Sequence, residues 1–150
     1  MMNAETLQTF LRQFIPATAL LGLTVHSIEN GTVTLTLPHE LNHNHKHTAF
    51  GGSIALGATT CGWAWVHAHF PEAEGNIVIQ HGETDYLHPA RGDLRFQNRA
   101  VDAEAWQQFQ ADFAASGKGK IRLTVEMWSE DKLAARFRGN FVAVKPKTED

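Results

Sequence analysis

What this chain has little of bounds it first. One cysteine, Cys61, among 150 residues rules out an intrachain disulfide and fits a reducing compartment. No dense basic run occurs, and 13 Lys and Arg against 16 Asp and Glu leave a formal charge of −3 with histidine neutral. A protein that tracks nucleic-acid phosphates needs concentrated positive charge, so that role is not expected. The opening MMNAETLQTFLRQFIPATALLG lacks a basic stretch followed by an unbroken apolar core. No signal peptide is read there, and a cytoplasmic location is expected. Residues 48–71 contain no Asp, Glu, Lys or Arg, a run long enough to cross a bilayer. Gly51, Gly52, Gly57, Gly62, Thr59, Thr60, His67 and His69 dilute it, so a helix buried inside a soluble protein is the better reading. No repeat, linker or low-complexity segment divides the chain, and residues 1–150 suit a single domain with its own core.

Periodicity then orders the elements. Leu7, Phe10, Leu11 and Phe14 fall at helical spacing before Pro16. LTVHSIENGTVTLTLP reads as a β-hairpin turning at Asn30-Gly31, with Val33, Leu35 and Leu37 alternating against threonines. A polar loop, LNHNHKHTAF, precedes the uncharged run. That run places Ile54, Ala58, Cys61 and Trp65 on one helical face and small residues elsewhere. Each glycine in a helix costs roughly 1 kcal/mol relative to alanine, so close packing against another backbone is expected to compensate. NIVIQHGETDYLHP and DLRFQNRAV read as strands separated by the turn-like PARG. Residues 102–115 read as a helix with Trp106, Phe109, Gln110 and Phe113 on one side. IRLTVEMW and LAARFRGNFVAV follow as strands joined at SEDK, and residues 145–150 are expected to fray. Strands linked largely by hairpins, with one long helix among them, predict an α+β fold whose antiparallel sheet buries one face on that helix.

The motifs resemble a known group. Asn42-His43-Asn44, Thr48-Ala49-Phe50-Gly51-Gly52-Ser53 and the later Gly62-Trp63 resemble the helix entry of hotdog-fold thioesterases. DYLHPARGDL is similar to the strand–turn–strand passage that follows in those proteins, and ARFRGNFVAV to their closing strand. Over roughly residues 10–145 the chain resembles, more specifically, the thioesterase domain found alone or fused to an acetyltransferase in bacteria. The resemblance implies a sheet wrapped around a central helix and hydrolysis of acyl thioesters of coenzyme A or acyl carrier protein. It also implies a site at a subunit interface, hence a homodimer or dimer of dimers. Hydrolysis requires no cofactor, and neither a membrane nor a nucleic acid is an expected partner.

The residues carry that chemistry as follows. The first N–H groups of a helix lack internal partners and sit at its positive end. At Gly51 and Gly52, where no Cβ intervenes, they can approach a substrate carbonyl and stabilise the oxyanion of a tetrahedral intermediate. Tight turning or close packing is the plain alternative. Asn44, and secondly Asn42, can donate and accept at once and so orient water or thioester, or simply fix a turn. The family resemblance places a carboxylate near Thr59 or Thr60, yet the helix has none, and threonine is no general base at neutral pH. Asp85 or Glu83 on the next strand, with Asp85 preferred because it lies within the family-like passage, and His47 are the substitutes, any of which can stand as a solvated residue instead. Phe50, Ser53, Thr59, Thr60, Trp63 and Arg91 complete the expected substrate-binding set. Arg91, Arg95, Lys118 and Lys120 are candidates for phosphates of the carrier.

Two other readings compete. If extended, His43, His45 and His47 project on one side and can take a transient metal, but no convincing carboxylate lies between Glu40 and Glu72 to complete a site, so no functional metal is expected. The missing helix carboxylate also fits an acyl-binding protein that keeps the fold without efficient hydrolysis. Cys61 reads as core, and His67 and His69 as capping or surface residues near the helix end.

Overall fold

The computed structural model describes residues 2–147. Helix α1 (Ala4–Phe14) starts at Asn3, whose side chain accepts a hydrogen bond from the Thr6 N–H at 2.8 Å. A short helix α2 (Pro16–Leu20) starts on Pro16, where a missing N–H loses no helical bond. Strands β1 (Thr24–Glu29) and β2 (Thr32–Leu37) meet at Asn30 and Gly31, both at positive φ, the backbone that a two-residue hairpin turn requires. One helical turn, α3 (His39–Asn42), follows Pro38. The central helix α4 spans Gly51–His69. Then come β3 (Ile77–Tyr86), β4 (Leu94–Asn98), α5 (Ala103–Ser116), β5 (Lys118–Ser129) and β6 (Lys132–Val144). Asp102 caps α5 by accepting from the Ala105 N–H. The Lys145 N–H still donates to Gly117 O at 2.7 Å, while residues 148–150 of the expected frayed tail lie outside the described residues.

All six strands form one antiparallel sheet in the order β1-β2-β4-β5-β6-β3, and α4 lies against β2 through β6. This is the hotdog arrangement. Only β1–β2 and β5–β6 are hairpins, fewer than the sequence suggests. β3 occupies the edge beside β6, whereas β4 pairs with β2 and β5. The passage containing PARG therefore crosses the mouth of the sheet instead of turning back. It is fastened there by the Ala49 N–H donating to Ala90 O at 2.8 Å.

Strand parity sorts the faces. Ile121, Leu123, Val125 and Met127 of β5 register with Phe141, Gly139, Phe137 and Ala135 of β6, and all eight face α4. The alternate positions form an outer face carrying Arg122, Glu126, Arg136 and Arg138. Central helix α4 buries Ile54, Ala58, Cys61 and Trp65 as their spacing predicts, but also Ser53, Thr60, Val66 and His67. Its small residues receive aromatic rings, not another backbone. A Cβ on Gly57 would lie 2.4 Å from the Phe96 ring, and one on Gly62 would lie 2.5 Å from the Phe141 ring. Cys61 donates to Val33 O at 3.5 Å, and burial pushes its thiol up to about 12, so it is an inert core residue.

The far end of α4 is sealed by aromatics. His67 is sandwiched between Phe10 and Trp63, with ring centroids 4.3 and 4.9 Å away. Neither of its ring nitrogens has a partner. His69 stacks on Trp65 and bonds the Trp65 carbonyl. His67 thus packs inward, against the expectation of a surface or capping role, because the Phe10 and Trp63 rings cover it, whereas His69 is half-buried and bonds a carbonyl of the last turn, as a capping role requires. Trp106, Phe109 and Phe113 of α5 close the same end around Phe70. Burial holds His67 below the ordinary imidazole range.

Two outcomes follow. Gly57→Ala gains roughly 1 kcal/mol of helix propensity but overpacks a buried ring at about 1–3 kcal/mol, so its denaturant midpoint should fall. An unfolded imidazole takes a proton near pH 6.5, and folded His67 does so only lower. Its contribution is therefore complete above about pH 6.5 and is lost as the pH falls through the window below it. His67→Phe, which keeps the stack, should flatten the decline in denaturation midpoint measured between about pH 7 and about pH 5.

Candidate active site

The approach to α4 is built by two asparagines. Asn42 is buried, donates through Nδ2 to Leu21 O and Pro38 O, and accepts at its own carbonyl from the Phe50 N–H at 2.8 Å. Its Oδ1 has no partner. Asn44 shapes the next turn. Its Oδ1 accepts from the N–H groups of Lys46 and Thr48, its Nδ2 donates to Thr48 Oγ1, and its own N–H donates to Thr48 O at 2.7 Å. Both side chains thus serve the loop, and neither is among the groove-lining residues described next.

This turn redirects the histidines. The segment does not run extended through His43, His45 and His47, because His47 adopts φ +60° and its N–H closes back on Asn44 O. Instead His39, His43 and His47 stack in a column with centroid spacings of 5.3 and 5.0 Å. Among the described residues no group of three or more His, Cys, Asp or Glu is arranged to hold a metal ion.

Phe50 begins α4 in extended conformation and supplies no side-chain cap. The other two helices longer than ten residues, α1 and α5, are both capped by a side chain. The leading N–H groups of α4, at Gly51, Gly52 and Ser53, therefore have no side-chain capping partner at the positive end of the helix. Gly51 opens on a groove of about 330 Å³ lined by Thr48, Ala49, Gly51, Ile54, Tyr86, Leu87, His88, Pro89 and Ala90. Tyr86 lies flat beside Gly51, with its hydroxyl 3.4 Å from the Gly51 carbonyl. The exposed ring of Phe50 rests over Gly52, 2.4 Å from where a Cβ would stand. Ser53 is buried in the first turn.

This geometry sits inside a recognisable family. The family model described as "Putative thioesterase (yiiD_Cterm)" matches residues 4–145. The chain belongs to that family. A solved structure of unknown function from Chlorobaculum tepidum is 28% identical with a TM-score of 0.84, over 95% of this chain and 94% of that one. A "putative thioesterase" structure from Shewanella oneidensis is 25% identical at a TM-score of 0.79, over 94% of this chain and 96% of that one. A thioesterase structure from Haemophilus influenzae shares the fold at 14% identity and a TM-score of 0.77, over 100% of this chain and 96% of that one. The general class is therefore that of a thioester hydrolase. No helix among the described residues is long and apolar enough to cross a membrane.

Against this family frame, the sequence candidates scatter. Asp85 faces away from the groove. It registers with Arg136 on the outer face and its carboxylate meets Arg138 at 3.4 Å, whereas Thr84 and Tyr86 point towards α4. Parity decides this, because neighbouring strand residues take opposite faces. His47 stays in its histidine column and is likewise not among the lining residues. Thr59, Thr60 and Trp63 stand roughly 12–18 Å along the helix from Gly51 at its ordinary rise. Thr60 bonds back to Leu56 O, and Trp63 donates to Ile77 O. Arg91 is exposed just beyond the groove-lining Ala90. Of the nine lining residues the sequence reading singled out Gly51 alone; among those it missed, Tyr86 and His88 carry titratable side chains, both within DYLHPARGDL. Strand alternation gave no signal for them, because residues 86–89 all line the groove across a bend where the Leu87 and His88 N–H groups donate to the same carbonyl, Ala134 O.

Proposed function

We propose that the chain hydrolyses acyl thioesters of coenzyme A or acyl carrier protein at the groove beside Gly51. The observation that carries this reading is the uncapped start of α4, opening on a cleft with small walls at Ala49, Gly51 and Ala90. A thioester carbonyl entering there meets the N–H groups of Gly51 and Gly52, which are donors fixed before charge develops on the oxygen. Water attacks the polarised carbon and the carrier leaves as a thiol. Asn44 and Asn42 act in this reading by holding the loop that presents those donors. Family membership supports the reaction class, and the groove supports its location. A carboxylate-free α4 is the one feature favouring an acyl-binding protein without turnover.

Release of thiol from acyl-CoA and acyl-carrier substrates of graded chain length separates these two readings. Binding without turnover across the panel would exclude the enzyme. Gly51→Pro gives a sharper test, since proline suits the first helical position and Phe50 already has the extended backbone that a following proline demands. The donor is deleted, and the added Cβ comes only to ordinary contact, 3.5 Å, with the Tyr86 ring. The expected result is a fall in kcat of about 10²–10³-fold with an unchanged denaturation midpoint.

The reading includes a second copy of the chain, as a homodimer or dimer of dimers. Ten-residue β3 is an edge strand whose Val78 and Tyr86 are 57% and 56% exposed, and such an edge invites pairing. Sedimentation should give a dimer or larger for the natural sequence and a shift towards monomer for Val78→Lys.

A further inference from the structure

The groove beside Gly51 contains two titratable side chains among its lining residues, Tyr86 and His88. From the helix side it is lined by Thr48, Ala49, Gly51 and Ile54, none of which can accept a proton from water at neutral pH. A phenol is a proton donor under those conditions, and Tyr86 directs its hydroxyl towards the Gly51 carbonyl. Imidazole is the side chain that ordinarily titrates between pH 5 and 8, which suits a base working near neutrality. Nearby charged groups do not compete. Asp85 is on the outer face with Arg138, and Arg91 lies beyond the lining residues.

His88 is also held in place. Its N–H and that of Leu87 both donate to Ala134 O, which pins the bend just past the last ladder pair of β3. Pro89 follows directly and restricts the backbone of residue 88. Ala90 O then accepts from the Ala49 N–H, two residues before the helix start. The segment carrying His88 is therefore fastened at both ends, once to β6 and once to the entry of α4. Its side chain is exposed, so water reaches it without any rearrangement of the core.

We propose that His88 is the general base of the thioesterase, an inference that rests on the hydrolytic reading of this groove. The imidazole removes a proton from water as the water oxygen bonds to the thioester carbon. The carbonyl π pair moves onto the oxygen held at Gly51 and Gly52. Collapse re-forms that double bond and breaks the C–S bond, and the imidazolium returns its proton to the departing sulfur. The products are the thiol and a carboxylic acid, which ionises into solvent. This assignment supplies the base that the carboxylate-free α4 lacks.

The test uses the full chain and an acyl-CoA that the wild type turns over. His88→Gln should lower kcat by about 10²–10⁴-fold, leave KM within a few-fold, and remove the acidic limb of the kcat/KM profile. His88→Ala should recover part of its rate when free imidazole is added, a response that a merely structural role does not give. Both variants should keep the wild-type denaturation midpoint, and His26→Gln on β1 should match wild-type activity. Wild-type turnover with an unaltered rate and pH profile in His88→Gln overturns this inference alone. Absence of wild-type turnover on every acyl-CoA and acyl-carrier substrate overturns the thioesterase reading and the assignment of His88 with it.

Discussion

The fit of two phenylalanine rings into two glycine notches governs the rest of the molecule. Phe96 of β4 and Phe141 of β6 occupy the space that side chains would take at Gly57 and Gly62. Because the rings are fully buried and the notches have no slack, α4 can neither rotate nor slide without a clash or a void. The sheet can then close around a helix that is covered on nearly every side. Where α4 begins is fixed by the same contacts, so the position of the Gly51 N–H relative to Tyr86 is an outcome of core packing. Precision at the groove originates in the interior.

The two ends of α4 are treated oppositely. At the C-terminal end Phe70, Trp106, Phe109, Trp63 and Phe10 pack around the helix and draw even His67 inside. At the N-terminal end two asparagines brace a polar loop, and no side chain makes a capping hydrogen bond to the leading N–H groups. The helix-start glycines and the notch glycines thus answer to different demands. Gly57 and Gly62 admit rings, whereas Gly51 borders the groove beside Tyr86 and Gly52 lies under the Phe50 ring.

Much of this architecture was legible because it depends on period and turn chemistry. Asn30-Gly31, the alternation in β2, β5 and β6, and the uncharged run of α4 each specify local structure strongly. The single turn of α3 was not legible, since four residues carry no period. Nor was the separation of β3 from β4. PARG has the composition of a turn, and only the tie between Ala90 and Ala49 makes it a crossing. The helix start was readable at Gly51 and Gly52, but the facing wall of the groove, residues 86–90, comes from a segment more than thirty residues later in the chain. Asp85 attracted attention for its acidity, yet its register opposite Arg136 sends it to the other face. Histidines 43, 45 and 47 attracted it by spacing, which the left-handed backbone of His47 then breaks.

The outer face of the sheet explains why so few charges reach the groove. Glu83 pairs with Arg122, Asp85 with Arg138, and Glu126 with both Arg136 and Arg99, so acid and base answer each other there. The more exposed pairs, Glu83 with Arg122 and Asp85 with Arg138, contribute little to stability. Their larger effect is to confine charge to one side of the sheet. On the other side no fixed anion stands among the groove-lining residues, and the aligned peptide dipoles of one helix set the local potential beside Gly51.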